Sequence, residues 1–338
     1  MALGLADGKA LSERDTILPV VPMFHANAWG NPHAGMMMGS KFVLPGRFLD
    51  PLSIARLIAD ERVTVASGVP TIWIGLLQLL DKEQFDLSSL RAIYSGGSAV
   101  PRALIEGLHK KNINIVHAWG MTETSPLASL CYLRSYQEDL PLEEQFNIKA
   151  KQGTVLPGVD FRVVNMETGQ EVPWDSQTFG ELQVRGPWIA RAYYADSESN
   201  AKFAEGWLRT GDVAVVDEDG FIQLVDRTKD LVKSGGEWIS SVELESLIMG
   251  HPKVLEACVV GIPHPKWSER PLACVVPKPD YVGNITKDEI LEYLRPLVAR
   301  WWLPDDVEFV EAIPKTSVGK FDKKVLRAKY EMHTGSTA

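Results

Sequence analysis

Apolar residues recur at helical spacing from Pro51 to Leu80, at Leu52, Ala55, Leu57 and Ile58, so this stretch reads as helical. The run Val63–Val69 interrupts it as a short buried strand, ending at Gly68 and Pro70, and Thr71–Leu80 returns to helix. Leu90–Tyr94 is a second apolar strand, stopped by Ser95-Gly96-Gly97-Ser98. Pro101 then opens a helix where proline is tolerated, and Ile113–Ala118 is a third strand. Strands alternating with helices predict a parallel sheet covered by helices.

After about Pro126 the pattern changes. Gly153–Val164, Gly180–Val184 and Val213–Val225 are short β-rich pieces separated by turn residues, predicting a small antiparallel, barrel-like unit. Past Asp226 a third pattern begins. It comprises a Gly-Gly turn, a helix at Ser241–Gly250, strands at Val254–Val260 and Leu272–Val276, and a helix near Thr286–Ala299. Thr286 with Glu289 three residues on forms a capping box for that last helix. The expected class is α/β followed by an α+β lid, divided at 1–125, 126–226 and 227–338. A length of 338 residues agrees with two or three folding units.

Composition narrows the function classes. Apolar residues make up 45% and charged ones 23%, which excludes a disordered or fibrous chain. The net charge of −9 gives no general attraction for nucleic acid or an anionic membrane. Cys131, Cys258 and Cys274 are too few for a disulfide framework or a four-thiolate zinc site, which points to a reducing, cytoplasmic compartment. The first sixteen residues lack an apolar signal core, and no stretch of about 18 apolar residues predicts a membrane span.

General catalytic templates fail. Thr316-Ser317-Val318-Gly319-Lys320 is followed by Phe321, where a phosphate-binding P-loop needs a hydroxyl. Neither G-x-S-x-G nor H-E-x-x-H occurs, and His25 and His33 do not share the spacing of one metal-binding helix face.

Four segments stand out. The first is Val21-Pro22-Met23-Phe24-His25-Ala26-Asn27-Ala28-Trp29-Gly30. The second pairs Ser95-Gly96-Gly97-Ser98-Ala99 with Trp119-Gly120-Met121-Thr122-Glu123-Thr124-Ser125-Pro126, each following a predicted parallel strand, where open sheets bind ligands. Gly-rich backbone allows close approach of a phosphate or planar group, and Thr122 and Glu123 supply an alcohol and a hard carboxylate suited to phosphate and Mg²⁺. The third is Gly206-Trp207-Leu208-Arg209-Thr210-Gly211-Asp212, whose carboxylate suits a ribose diol. The fourth runs from Asp226 through Arg227, Lys229 and Lys233 to Trp238. Each alone is an ordinary core strand, tight turn or solvated linker.

In this order and spacing, together with Ile313-Pro314-Lys315-Thr316-Ser317-Val318-Gly319-Lys320, they resemble the core motifs of the adenylate-forming (AMP-binding) superfamily. The Lys233–Ser241 string K-S-G-G-E-W-I-S-S resembles its fatty-acyl-CoA synthetase branch. The resemblance implies ATP-dependent activation of a medium- or long-chain fatty acid to an acyl-adenylate, then transfer to coenzyme A. By that likeness Glu123 would hold Mg²⁺ and Thr122 would contact phosphate. Gly97, His117, Ala118 and Trp119 would line the nucleotide pocket, and Asp212 with Arg227 would hold the ribose. Lys229 would be the hinge of a mobile lid, Lys233 and Trp238 would contact nucleotide, and Trp29 would gate an acyl site beside His25. Lys320 matches the catalytic lysine of adenylation, which would need the lid closed. The resemblance also admits a homodimer.

The family's Ser/Thr/Gly-rich phosphate loop lies upstream of the first segment, and nothing in Met1–Val20 resembles it. The expectation is therefore a synthetase shortened at its N-terminus, with an apolar face left uncovered and pyrophosphate chemistry impaired. A short-acid ligase, such as a methylthiopropionate–CoA ligase, shares nearly the same motifs. A non-catalytic remnant, or one piece of a split synthetase, is the reading from another class.

Overall fold

A computed structural model describes residues 9–196, 198–235, 237–316 and 320–331. The chain divides into two compact units, one of residues 1–210 and 215–224, the other of residues 211–214 and 225–338.

The first unit is built on a seven-stranded sheet of order β2-β1-β3-β4-β5-β6-β7. Its strands are β1 (Thr16–Pro19), β2 (Lys41–Phe42), β3 (Val65–Gly68), β4 (Ala92–Gly96), β5 (Ile115–Gly120), β6 (Leu127–Leu130) and β7 (Thr154–Val155). The strands β1 to β5 pair in parallel, and β6 and β7 close one edge antiparallel. Side chains alternate across the sheet, as strand geometry requires. Ile93 and Ile115 enter one apolar cluster, while Ala92, Tyr94, Val116 and Ala118 enter a second.

The first cluster is covered by α3 (Pro51–Asp60), α4 (Pro70–Leu80) and α5 (Arg102–Lys110), which contribute Ile54, Ile58, Trp73, Leu76, Leu104 and Leu108. Asp50 caps α3 by accepting the Ser53 N–H at 2.9 Å, with Pro51 at the first helical position. The N-terminal stretch is fastened by Asp15, whose carboxylate takes Arg91 Nε at 2.9 Å and Nη2 at 3.1 Å. Burial opposes that charge, yet bonds from Arg91, Thr64 and Ser12 hold the carboxyl below its usual range.

Ahead of α2 (Asn31–Met38), the short turn α1 (Ala26–Trp29) is left-handed. Ala26, Asn27, Ala28, Trp29 and Gly30 all have positive φ, from 44° to 69°. Non-glycine residues rarely adopt this conformation, so the apolar pattern gave no sign of it. Asn31 ties the turn down: its Nδ2 donates to Ala28 O at 2.7 Å and to Ser67 Oγ at 3.0 Å. Nearby, Met23, Phe24, Met36, Met37, Leu44 and Phe48 stand exposed.

The β-rich middle is not a barrel. It is an open four-stranded sheet of order β11-β10-β9-β8, made of β8 (Asp160–Val164), β9 (Gly180–Arg185), β10 (Leu208–Val216) and β11 (Ile222–Arg227). Thr154 and Val155, read from sequence as part of this piece, join the larger sheet instead. The helix α6 (Leu142–Lys149) lies between β6 and β7 in the chain.

The second unit holds a five-stranded sheet, β13-β12-β15-β14 with β16 on β15. Its strands are β12 (Val232–Ser234), β13 (Glu237–Ile239), β14 (Val254–His264), β15 (Ser268–Pro277) and β16 (Asp306–Phe309). Alternation along β15 sends Ala273 and Val275 to a cluster with α7 (Ser241–Met249) and α8 (Lys287–Leu294). Leu272, Cys274 and Val276 go to a cluster with Leu326 and Tyr330 of α9 (Lys323–Glu331). Thr286 Oγ1 accepts the Glu289 N–H at 3.2 Å, the forward half of the expected capping box, while the Glu289 carboxylate pairs with Lys253 instead of closing it. The helix stops at Leu294, short of Ala299, because Pro296 cannot continue it. Among the described residues no helix is long and apolar enough to cross a membrane.

The carboxyl end of β4 depends on a close approach. A Cβ added to Gly96 would lie 2.4 Å from Ala118 O, a backbone atom of the neighbouring strand. Gly96→Ala should therefore cost about 3 kcal/mol of stability. Gly46→Ala, at φ +61° with nothing within 4 Å, should cost about 1 kcal/mol through backbone strain alone. Urea midpoints that fall equally for both would contradict this reading.

Candidate functional site

Two groups of sequence-derived residues emerge, one in each unit. In the first unit, Gly97, Ala118, Trp119, Thr122 and Glu123 follow or end β4 and β5 at the carboxyl edge of the parallel sheet. Gly97 has φ +84°, which reserves the position for glycine and leaves backbone unshielded. Ser95 Oγ, on the penultimate residue of β4, is buried and has no hydrogen-bond partner. Thr122–Thr124 forms one 3₁₀ turn, shaped by Thr124, whose hydroxyl accepts from Met121 N at 2.8 Å and lies 2.6 Å from Pro126 O.

Glu123 is not left to solvent. Tyr193 donates its hydroxyl to Glu123 Oε1, and Glu123 O accepts the Ala190 N–H at 2.7 Å. The hydrogen bond to the carboxylate, with some burial, pushes the Tyr193 hydroxyl up to about 12. Sequence reasoning missed Tyr193, which lies 70 positions from its partner in a segment without a motif.

His117 has a different environment from its neighbours. Its ring is almost fully buried, with Nδ1 3.0 Å from Ala150 O and Nε2 3.4 Å from Gln152 Nε2. Burial pulls its pKa down to about 4, so the imidazole stays neutral and acts as an anchor of β5. Trp119 is likewise buried. Nearer the N-terminus, Trp29 sits in the left-handed turn with His25 preceding it, both partly exposed.

The second group is a charge cluster. Asp212, almost fully buried, pairs with Arg227, whose Nε is 3.2 Å from Oδ1. Thr228 closes the turn beside them by donating its N–H at 3.0 Å and hydroxyl at 3.1 Å to Gly211 O. Lys320 faces the same pair. Burial first, then the Arg227 guanidinium, lower its pKa, and Asp212 opposes them. A partly desolvated ammonium beside a buried carboxylate and a guanidinium is suited to an anionic, hydroxyl-bearing ligand.

Lys229 is exposed in a turn at 228–230. Lys233 and Trp238 face each other across β12 and β13, the ammonium 5.1 Å from the ring centroid. The three cysteines are all buried, and burial raises the Cys131 thiol to about 12 and Cys274 to about 11, which disfavours the thiolate.

A donor set for magnesium needs only one or two carboxylates when phosphates and water complete the shell. Glu123 meets that requirement, and no cluster of three metal-ligating side chains occurs among the described residues.

These features coincide with a family. Residues 2–194 match the AMP-binding enzyme family and residues 243–320 its C-terminal domain, so the chain belongs to the AMP-binding enzymes. It is 48% identical to a long-chain-fatty-acid–CoA ligase of Thermus thermophilus, over 99% of this chain and 62% of that protein. It is 43% identical to a medium-chain-fatty-acid–CoA ligase of Ectopseudomonas oleovorans, over 98% of this chain and 60% of the relative. Identity is also 43% to a 3-methylmercaptopropionyl-CoA ligase of Ruegeria pomeroyi, over 94% of this chain and 59% of the relative. The chain thus spans about 60% of the length of these relatives. Among solved structures, the anthranilate CoA ligase AuaEII bound to anthranoyl-AMP superimposes with a TM-score of 0.84 at 27% identity, covering 96% of this chain and 61% of that one.

The Glu123–Tyr193 bond can be tested directly. In Glu123→Gln the Tyr193 hydroxyl should titrate near the ordinary tyrosine value of about 10 instead of about 12, because the carboxylate that repels the phenolate is gone. The Tyr193 ¹³Cζ shift followed against pH reads this. An unchanged titration would mean that the two groups do not interact.

Proposed function

We propose that this chain carries the chemistry of a fatty-acid–CoA ligase: acyl-adenylate formation from ATP, then thioester formation with coenzyme A. The observation that supports this most is Lys320, a desolvated ammonium beside Asp212 and Arg227. In the first step a carboxylate oxygen bonds to the α-phosphorus while pyrophosphate leaves with its electron pair. Both reactants are anionic, so a positioned cation lowers the barrier. Lys320 supplies it. In the second step the thiol loses its proton to solvent, its sulfur bonds to the acyl carbon, and the acyl–oxygen bond breaks as AMP leaves with the electron pair.

Asp212 accepts from the ribose hydroxyls in this reading, with Arg227 beside it. Thr122 and the backbone around Gly97, His117, Ala118 and Trp119 receive the nucleotide, and Glu123, steadied by Tyr193, holds Mg²⁺. When bound, the metal supplies charge neutralisation on the phosphates. Lys233 and Trp238 offer a cation and a ring to the nucleotide, Lys229 serves as the hinge, and Trp29 and His25 serve the acyl end. A cytoplasmic location accords with three buried free thiols. A second acid class is kept because the similarity to a methylmercaptopropionate ligase equals that to a medium-chain ligase.

Within these 338 residues nothing resembles the family's phosphate loop. Supplied acyl-adenylate plus coenzyme A should therefore yield thioester, while acid plus ATP yields little, because pyrophosphate is the group that loop would hold. Lys320→Ala should lower adenylation by about 10²–10³ and affect the thioester step less. Equal, robust rates from both starting points would contradict the dependence on the loop. No thioester from either would favour a protein that only binds nucleotide or a homologue.

A further inference from the structure

The helix α9 begins three residues after Lys320, and its first residue is a buried cation. Lys323 Nζ lies 2.7 Å from Glu245 Oε1 and donates to Ser241 Oγ. Ser241 then donates twice to one oxygen of Asp226, through its N–H at 2.7 Å and through its hydroxyl. Glu245 also accepts the Val259 N–H at 2.8 Å, which fixes the carboxylate to β14. One turn along the helix, Arg327 pairs with Asp230. Arg327 thus meets the carboxylate at 230 directly, while Lys323 reaches the one at 226 through the Ser241 hydroxyl.

Apolar packing does not require these charges. Leu326 and Tyr330 already seat α9 on the sheet. Burying an ammonium and a carboxylate is expensive, and their mutual attraction roughly offsets it only when every bond is made. What the network adds is register. Asp226 directly precedes Arg227, and Lys323 follows Lys320 by three residues. On the other side of Lys320, its N–H donates to Thr316 Oγ1 at 3.2 Å and its carbonyl accepts from Thr316 N at 2.8 Å.

We infer that Lys323 is a positioning residue, acting through Ser241 and Asp226 to hold the Lys320 and Arg227 segments in one register, so that the Lys320 ammonium stays beside the Arg227–Asp212 pair. This rests on the reading of Lys320 as the adenylation lysine.

Ser241→Ala is the gentlest test, since it removes the bridging hydroxyl and leaves the Lys323–Glu245 pair and the Ser241 N–H in place. Trace acetylation against pH, read by mass spectrometry, gives the titration of Lys320, which Arg227 and Asp212 face. In the parent Lys320 should titrate below an ordinary lysine. In Ser241→Ala it should move up toward the ordinary value, and backbone amides of residues 227–231 should exchange about tenfold faster. Lys253→Ala breaks an ion pair with Glu289 elsewhere in the unit and should change neither.

The double variant Lys323→Met/Glu245→Gln removes both buried charges while keeping an acceptor for Val259 N. It should reproduce the Ser241→Ala result, and it carries the test should Ser241→Ala not fold. A folded variant with parental Lys320 titration and parental exchange overturns the proposal. Adenylate formation from acid and ATP undiminished in Lys320→Ala would instead remove the catalytic reading and leave the positional result to the titration.

Discussion

The second unit is organised around one buried carboxylate. Asp212 has almost no contact with solvent, and a carboxylate in that position keeps its charge only if cations or donors surround it. Arg227 meets it at 3.2 Å from the next strand, and Lys320 faces both from the far end of the chain. These residues come from three separate stretches of sequence. The arrangement holds because the stretches are tied to one another: Thr228 to Gly211, Asp226 to Ser241, and Lys323 to Ser241 and Glu245. Remove the carboxylate and two cations are left facing each other.

The first unit obeys a steric constraint. The carboxyl ends of β4 and β5 approach closely enough that Gly96 admits no side chain. That approach leaves a rim of bare backbone at Gly97 and places the Thr122–Thr124 turn directly after β5. Glu123 then projects a carboxylate whose orientation is set by Tyr193. His117 contributes from below, as a neutral ring spanning Ala150 and Gln152.

Much of this was legible in the sequence, for identifiable reasons. The alternation Ile93/Tyr94 and Ile115/Val116 has the period of two that a strand between two packed faces imposes, and the glycines after β4 mark its end. The four motifs carried the family because their order and spacing are specific. What escaped notice was non-local or conformational. Tyr193 reaches Glu123 across 70 positions, and Lys323 reaches Glu245 and Ser241 across 78 and 82, distances that no periodicity reports. The left-handed turn at Ala26–Gly30 depends on the buried amide of Asn31, not on its own residue types. The open sheet of β8 to β11 differs from a barrel in edge pairing, which short β-rich pieces do not encode. The charged stretch after Asp226 reads as a solvated linker, yet Asp226 and Asp230 are both pinned.

The central claim is that Asp212 and its two cations form a nucleotide site. Calorimetric titration of the intact chain with AMP, parent against Asp212→Ala, tests it most directly. Losing a charge-assisted bond to the ribose diol should weaken binding by about 1.5–3 kcal/mol, roughly ten- to a hundredfold. Equal affinity in a folded variant would contradict the account.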